Sequence, residues 1–431
     1  MMSKNTNVSL RNLFIYQVYV RNHTKEGTFK AFLSDLDRIR DLGTDVVYFL
    51  PIHPIGHKNK KGSLGCPYSI KDYRSVNAEY GTLEDFKEVI DAIHAKGMKC
   101  MIDVVYNHTS YDSKLLKEHP EYFYKKEGNF ANRVGEWWDV TDLDYSVSKD
   151  LWTELIDTLV YWTKLGVDGF RWDVASLLPI EFLEQAHEAV LKVNPDSIFL
   201  SESVHGEFLR FFRNQGFDAL SESEIYQVFD MSYDYDTHPL FEGYFKGEND
   251  LNSYLKSIVA QEYTYPQNYI KMRNLENHDF GRFAKMVDSD EAKLLNWTAF
   301  VFFNKGCTMM YAGEEFSDTN LPSLFDKDLV NWDGYDLSPL VKVVSKIVKD
   351  DITVNGVFDF EYQEKDVIVA SYKYDNSTLY GVFNVGQTQG EVTLKNVENG
   401  IFTNLIDGSR IEVSNNTLNL SEKPLIFEVK E

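Results

Sequence analysis

Along the first three quarters of the chain, short apolar runs alternate with longer stretches whose apolar positions recur at threes and fours. Residues 14–20 read as a strand, and residues 28–42 as a helix with Phe29, Phe32, Leu33, Leu36 and Ile39 on one face and Gly43 as its stop. The same unit then repeats. Residues 45–50 form a strand ended by Pro51, residues 83–95 a helix closed by Gly97, and residues 99–105 a third strand. Residues 151–165 form a helix on Leu151, Leu155, Ile156, Leu159 and Trp162, closed by Gly166. Strands at 169–173 and 197–201 flank a helix at 180–193, and strands at 271–275 and 308–311 flank one at 292–303. A sixth strand is assigned near residues 217–220. This alternation predicts parallel strands joined by helical crossovers, and a strand count near eight favours a closed (β/α)8 barrel, the TIM barrel, over an open doubly wound sheet.

Two segments break the pattern. Residues 107–148 hold about 40 residues of polar and aromatic sequence, too long for an ordinary βα loop and readable as a small inserted domain after strand three. From residue 352 onward the pattern becomes all-β, with alternating runs at 367–374 and 378–384 around an Asp375-Asn376 turn signal. The expected organisation is therefore α/β: a barrel from residues 1–106 and 149–351, an insert at 107–148, and a C-terminal antiparallel β-sandwich at 352–431. That tail contains no tryptophan, which favours a packing domain over a sugar-binding module.

Composition narrows the function classes. Hydrophobic residues make up 43% of 431, enough for a large core. The formal charge of −23 argues against nucleic acid or an anionic membrane as partner. Aromatic content of 14% is explained first by the core and second by sugar stacking. Cys66, Cys100 and Cys307 are odd in number and far apart, so neither a disulfide framework nor a zinc site is expected. The polar start, Met1 to Leu10, lacks the basic and apolar stretches of a signal peptide, and no apolar run is long enough to span a membrane. A cytoplasmic protein is the expectation, with its oligomeric state left open.

Catalytic groups of a parallel barrel sit at the carboxyl ends of its strands. Strand three ends in Asp103-Val-Val-Tyr-Asn107-His108, strand four in Gly169-Phe-Arg171-Trp-Asp173, strand five in Ser201-Glu202, and strand seven in Asn277-His278-Asp279. A single Asp after a strand is usually a helix cap. Several carboxylates at one barrel mouth suggest acid/base chemistry. Retaining glycoside cleavage needs two carboxyl groups, one nucleophile and one proton donor, roughly 5–5.5 Å apart. Asp173, beside the guanidinium of Arg171, suits the nucleophile. Glu202, after the apolar run Ile198-Phe199-Leu200, suits the acid. Asp279 would hold sugar hydroxyls and favour ring distortion, while His108 and His278 can donate hydrogen bonds to them.

These segments resemble the short motifs of the α-amylase family, glycoside hydrolase family 13. The segments ending in His108, Asp173 and Asp279 are similar to the family's third-, fourth- and seventh-strand motifs. Gly43-Thr-Asp-Val-Val-Tyr-Phe-Leu-Pro51 resembles the second-strand motif, and Gly306-Cys-Thr-Met-Met-Tyr-Ala-Gly313-Glu314-Glu315 the eighth. Thr141-Asp142-Leu143-Asp144 is similar to the motif near the end of the inserted domain, and Tyr68-Ser-Ile-Lys-Asp72-Tyr73 to the segment whose first Tyr stacks on the reacting sugar. The resemblance covers about residues 12 to 350. It implies Asp173 as nucleophile, Glu202 as acid/base, Asp279 as transition-state stabiliser, and Tyr68, His108, Arg171 and His278 as substrate-binding residues. Asp103 would order Arg171.

The chain departs from the family at three points. Many members carry Lys-His shortly after the nucleophile motif, where it contacts sugar and helps ligate calcium. Here Val174-Ala-Ser-Leu-Leu-Pro179 follows, which leaves Asn107 as the one matching calcium ligand; no cofactor is expected to be required. Glu202 is followed by Ser203-Val204 without the Trp common nearby, and Tyr68 by Ser69 where relatives often have Asp. The implied activity is retaining cleavage of α-1,4-glucosidic bonds in maltodextrins and starch-derived oligosaccharides, and Asp142-Leu-Asp144 favours it. An α-1,6 oligoglucosidase or an α-glucan transglycosidase stays open, because Val directly after the nucleophile accompanies α-1,6 preference among oligoglucosidases. A non-catalytic sugar-binding relative would usually have lost one of the three carboxylates. Residues 322–332, after strand eight, are expected to shape the substrate loops.

Overall fold

The computed structural model describes residues 5–430. The first four residues of the polar N-terminal stretch and residue 431 of the tail lie outside it. Eight parallel strands close into a barrel: β1 (Phe14–Val18), β2 (Val46–Phe49), β3 (Lys99–Val104), β4 (Gly169–Trp172), β5 (Ile198–Ser201), β6 (Met231–Tyr233), β7 (Lys271–Arg273) and β8 (Cys307–Tyr311). Each strand pairs with its sequence neighbours, and β1 closes on β8 through Phe14↔Thr308 to Gln17↔Tyr311.

Two-residue periodicity sorts the strand side chains. Ile15, Val46, Met101, Ile198, Leu200, Met231, Met272 and Met309 fill the barrel interior as one cluster. Their neighbours Tyr16, Val47, Ile102, Phe170, Phe199 and Met310 join the larger layer beneath the helices. Two residues beyond the apolar plug, the inward positions turn polar or ionisable: Asp103 follows Met101, Glu202 follows Leu200, Tyr233 follows Met231 and Tyr311 follows Met309. Gly169 sits at an inward position where a Cβ would lie 3.0 Å from the Ile198 carbonyl oxygen and the Met101 methyl. Gly306 enters β8 at φ +139°, where a Cβ would meet the Lys271 carbonyl oxygen at 2.2 Å.

Two sequence expectations differ from the structure. The helix expected at 28–42 is broken into Phe29–Leu33 and Leu36–Asp41. At the break, Ser34 Oγ donates back to the Ala31 carbonyl at 2.8 Å, and Asp35 turns to bind His23 at 2.6 Å and Arg38 Nη2 at 2.6 Å. The sixth strand is Met231–Tyr233 and not residues 217–220. Three residues carry no readable periodicity, and Phe217 instead packs edge-on against Tyr124 at 6.1 Å. Helix Leu83–Ala95 has the expected bounds, opened by a reciprocal Thr82–Asp85 capping box.

After β3 the chain forms small antiparallel pairs, His108–Ser110 with Val140–Asp142 and Lys125–Lys126 with Asn129–Phe130. The tail holds two four-stranded antiparallel sheets. Val369, Val382, Leu394, Ile411, Val413 and Phe427 form the cluster between them. Its main hairpin, Ile368–Tyr374 and Ser377–Phe383, turns at Asp375-Asn376, with Asp375 at φ 50°. Phe300 and Phe303 of helix Glu291–Phe303 meet Phe383 at 5.6 and 5.5 Å. That helix is covered by the barrel on one side and the tail on the other, which is why residues 296–303 are all buried. No helix among the described residues is long and apolar enough to cross a membrane.

Candidate active site

Arg171 is the hub of the barrel mouth. Its buried guanidinium Nη1 donates to Asp103 Oδ1 and Oδ2 at 2.9 and 3.1 Å and to Asp173 Oδ1 at 3.0 Å. Its Nη2 lies 3.1 Å from Glu202 Oε2. The β3–β4 register, Asp103↔Arg171, puts the first pair side by side, and Asp173 follows two residues on. Main-chain bonds extend both strands past their ends: Asp173 N–H donates to the Val104 carbonyl at 3.0 Å and Glu202 N–H to the Trp172 carbonyl at 3.0 Å. Asp173 and Glu202 are thereby held at the two terminal nitrogens of one planar group.

The electrostatics differ from the sequence expectation in one respect. Arg171 does favour an ionised Asp173, but burial and then the Glu202 carboxylate outweigh it and push the Asp173 carboxyl well above the usual range. Arg171 hydrogen-bonds Asp173, whereas its Nη2 approaches Glu202 without hydrogen-bond alignment. Glu202 Oε2 accepts instead from the Val174 N–H at 2.8 Å. Asp103, fully buried, is raised to about 6 by burial, with Arg171 opposing.

A second relay carries the histidines. Tyr68 Oη donates to Asp103 Oδ2 at 2.9 Å and lies 2.7 Å from His278 Nε2. Since the hydroxyl proton is spent on Asp103, His278 Nε2–H donates to Tyr68, and His278 Nδ1 accepts from Gln17 Nε2 at 3.0 Å. The Tyr68 and His278 rings stack at 5.4 Å and 13°. Burial, reinforced by Arg171, lowers His278 to about 3, so the imidazole is neutral. His108 is also lowered to about 3 by burial. Its Nδ1 lies 3.1 Å from Asn107 Nδ2, and its ring meets Trp137 edge-on at 5.3 Å. Asp279 stands 3.2 Å from His278 Nε2 and keeps 43% of its side-chain surface, which opens it to the cleft. Asn277 Oδ1 accepts from the Asp279 and Phe280 N–H groups at 2.8 and 3.0 Å and so fixes that turn.

Tyr68, His108, Asp173, Glu202, His278 and Asp279 line one cavity of about 210 Å³, with Arg171 buried beneath. Lys61, Cys66, Trp137, Asp139 and Val140, which no strand-end motif marks, also stand on its wall. Leu324 and Phe325 come from the loop at 322–332 that the sequence had singled out. Gln17 and Tyr48, which donates to Asp103 Oδ2 at 2.7 Å, were also missed. Their signal was a polar-tipped residue at an inward position of an otherwise apolar strand.

Calcium, which the family implies, finds poor partners here. Asn107 turns its amide nitrogen, not its oxygen, toward Asp142 Oδ1 at 3.4 Å. Asp142 Oδ2 takes the Arg133 N–H at 2.8 Å and Arg133 Nη1 at 3.3 Å. A hard cation needs oxygen donors facing it, and these groups do not supply them. Among the described residues no three His, Cys, Asp or Glu side chains converge as a metal site.

Strand-end carboxylates around a buried guanidinium, in a closed parallel barrel with a β-rich tail, define a carboxylate-based barrel enzyme. Residues 12–353 match the alpha amylase catalytic domain, and residues 359–427 the bacterial alpha amylase C-terminal domain. The chain belongs to the alpha-amylase family of glycoside hydrolases. It is 40% identical to an alpha-amylase from Lactobacillus plantarum of known structure, covering 98% of this chain and 100% of that one with a TM-score of 0.95. A noncanonic maltogenic alpha-amylase from Thermotoga neapolitana is 31% identical, at TM-score 0.88, over 98% of this chain and 100% of that one. The alpha-1,4-glucan:maltose-1-phosphate maltosyltransferase of Picrophilus torridus is 28% identical over 56% of this chain, and the match spans 38% of the transferase.

Proposed function

We propose that the protein is a retaining glycoside hydrolase acting on α-1,4-glucosidic bonds of maltodextrins and starch-derived oligosaccharides. The observation that carries this reading is the pairing of Asp173 and Glu202 on one buried Arg171. In the first step Glu202 gives its proton to the glycosidic oxygen as the Asp173 carboxylate attacks the anomeric carbon, forming a glycosyl-enzyme and releasing the shortened glucan. In the second, Glu202 takes a proton from water, whose oxygen displaces Asp173 and frees a product of unchanged configuration. Asp279, open to the cleft, binds sugar hydroxyls in the distorted ring. His278, neutral and fixed by Tyr68 and Gln17, and His108, also neutral, serve the same sugar. Arg171 orders the carboxylates and Asp103 orders Arg171.

The amylases from Lactobacillus plantarum and Thermotoga neapolitana support an α-glucan substrate, and the maltosyltransferase supports transfer as the second reading. Val174 beside the nucleophile supports an α-1,6 preference. Chromatography of digests of maltopentaose, isomaltose and panose separates them. Cleavage of maltopentaose with isomaltose untouched is expected; the reverse overturns the α-1,4 assignment. The free, buried Cys66, Cys100 and Cys307 support a reducing, cytoplasmic compartment. We also propose 1–106 with 149–351, 107–148 and 352–431 as the structural units, the last a packing domain. A soluble, active chain truncated at residue 350 would contradict that role.

A further inference from the structure

Arg133 lies in the inserted segment, yet its guanidinium joins three things. Its Nη1 donates to Asp142 Oδ2 at 3.3 Å and to the Leu143 carbonyl at 3.1 Å, while its own N–H holds the same carboxylate oxygen at 2.8 Å. The carboxylate is 1% exposed, a position that an unpaired charge would not tolerate. The strand bearing it runs opposite the segment that leaves β3, with His108 facing Asp142. On its other side the guanidinium covers the Tyr124 ring at 4.4 Å and the Phe217 ring at 5.6 Å. Tyr124 belongs to the insert, but Phe217 follows helix Gly206–Asn214, which comes after Glu202. One side chain thus ties the insert, the β3 exit and the segment beyond the acid/base together.

We infer that Arg133 is a built-in cation: it supplies, at the seam between insert and barrel, the positive charge that a bound calcium would otherwise bring. Two oxygens that could face a cation at this seam, Asp142 Oδ2 and the Leu143 carbonyl, already accept from Arg133. Asn107 completes the arrangement by donating to Asp142 Oδ1, which suits a carboxylate neighbour and repels a metal. A planar guanidinium also stacks on aromatic rings, which a metal ion with its hydration water would not do. The insert therefore needs no metal to stay docked.

The test follows thermal unfolding and native-state proteolysis of the full chain, neither of which depends on turnover or on the proposed substrate. Wild-type protein is measured in EDTA and in calcium chloride, beside Arg133→Met and Arg133→Lys. The wild type is expected to unfold at the same temperature in both solutions. Arg133→Met is expected to be cut within residues 107–148 at least about tenfold faster, as loss of charge-assisted hydrogen bonds to a buried carboxylate implies. Arg133→Lys keeps the charge but not the fork and is expected to fall between. Should Arg133→Met not fold, Arg133→Lys and the wild-type calcium comparison carry the test. A wild type stabilised by calcium and destabilised by EDTA, or variants as resistant as the wild type, overturns the inference.

Discussion

The main-chain N–H of Val174 donates to the Glu202 carboxylate at 2.8 Å from a left-handed backbone, φ 39° and ψ 45°. A β-branched residue is strained there, at a cost of about 1–3 kcal/mol. The turn lifts the chain straight after Asp173 and aims one amide at the partner carboxyl. Val174→Gly removes the strain but also a buried side chain worth roughly 1.5–3 kcal/mol. The unfolding temperature is expected to change little while kcat falls, because Glu202 is held by a looser turn. A fall of about 3 °C or more, the scale of an uncompensated loss of that side chain in a chain of this length, would mean that little strain was stored.

Glu202 raises the Asp173 carboxyl by its charge, second only to burial. Glu202→Gln removes that charge, so Asp173 should ionise at lower pH. First-turnover fluoride release from an α-maltosyl fluoride needs ionised Asp173 and little acid assistance. Its acid limb is expected to move down by about one pH unit or more, while turnover of maltopentaose falls about a hundredfold or further. An acid limb that stays in place would show that the Glu202 charge does not raise the Asp173 carboxyl.

The Tyr68 hydroxyl donates to Asp103 and accepts from His278. Tyr68→Phe keeps the stacked ring and deletes both bonds. A loss of about 10- to 100-fold in kcat/KM is expected, as for two buried hydrogen bonds of which one is charge-assisted. An unchanged kcat/KM would remove Tyr68 from the relay.

His53 is buried outside the cleft, its Nδ1 3.0 Å from the Ser75 carbonyl, and burial lowers it to about 4. Between an ordinary value of 6.5 and that lowered one, the unfolded chain binds the extra proton. Stability from this group is therefore complete above pH 6.5 and lost as pH falls toward 4. His53→Asn retains a donor for Ser75 and removes the titration. The variant is expected to be less stable than wild type near neutrality, with the gap narrowing on acidification, read from unfolding midpoints at several pH values. A gap that stays constant with pH would mean that His53 does not titrate on unfolding.

Much of the barrel was legible because its helices and most of its strands keep a single period. Helix 83–95 was read with its observed bounds from its period and the Gly97 stop. Legibility failed where tertiary contacts override local pattern. Asp35 breaks a periodic helix to bind His23 and Arg38, and β6 is too short to show alternation. The strand-end motifs brought Arg171, Asp173, Glu202, His278 and Asp279 to one mouth. Trp137 and Asp139 were not readable, since an insert of small strand pairs has no period that says which side chains face the cleft, and Lys61 lies in the irregular connection between β2 and helix Leu83–Ala95. The balance of charge at Asp173 was also hidden, because burial depends on the whole barrel.

The most direct test of the pairing of Asp173 with Glu202 is mass spectrometry of Glu202→Gln protein treated with an α-maltosyl fluoride. With the general base removed, the glycosyl-enzyme should accumulate, and digestion should locate one maltosyl unit on the peptide containing Asp173. A label on the peptide containing Asp279, with the Asp173 peptide unmodified, would contradict the account.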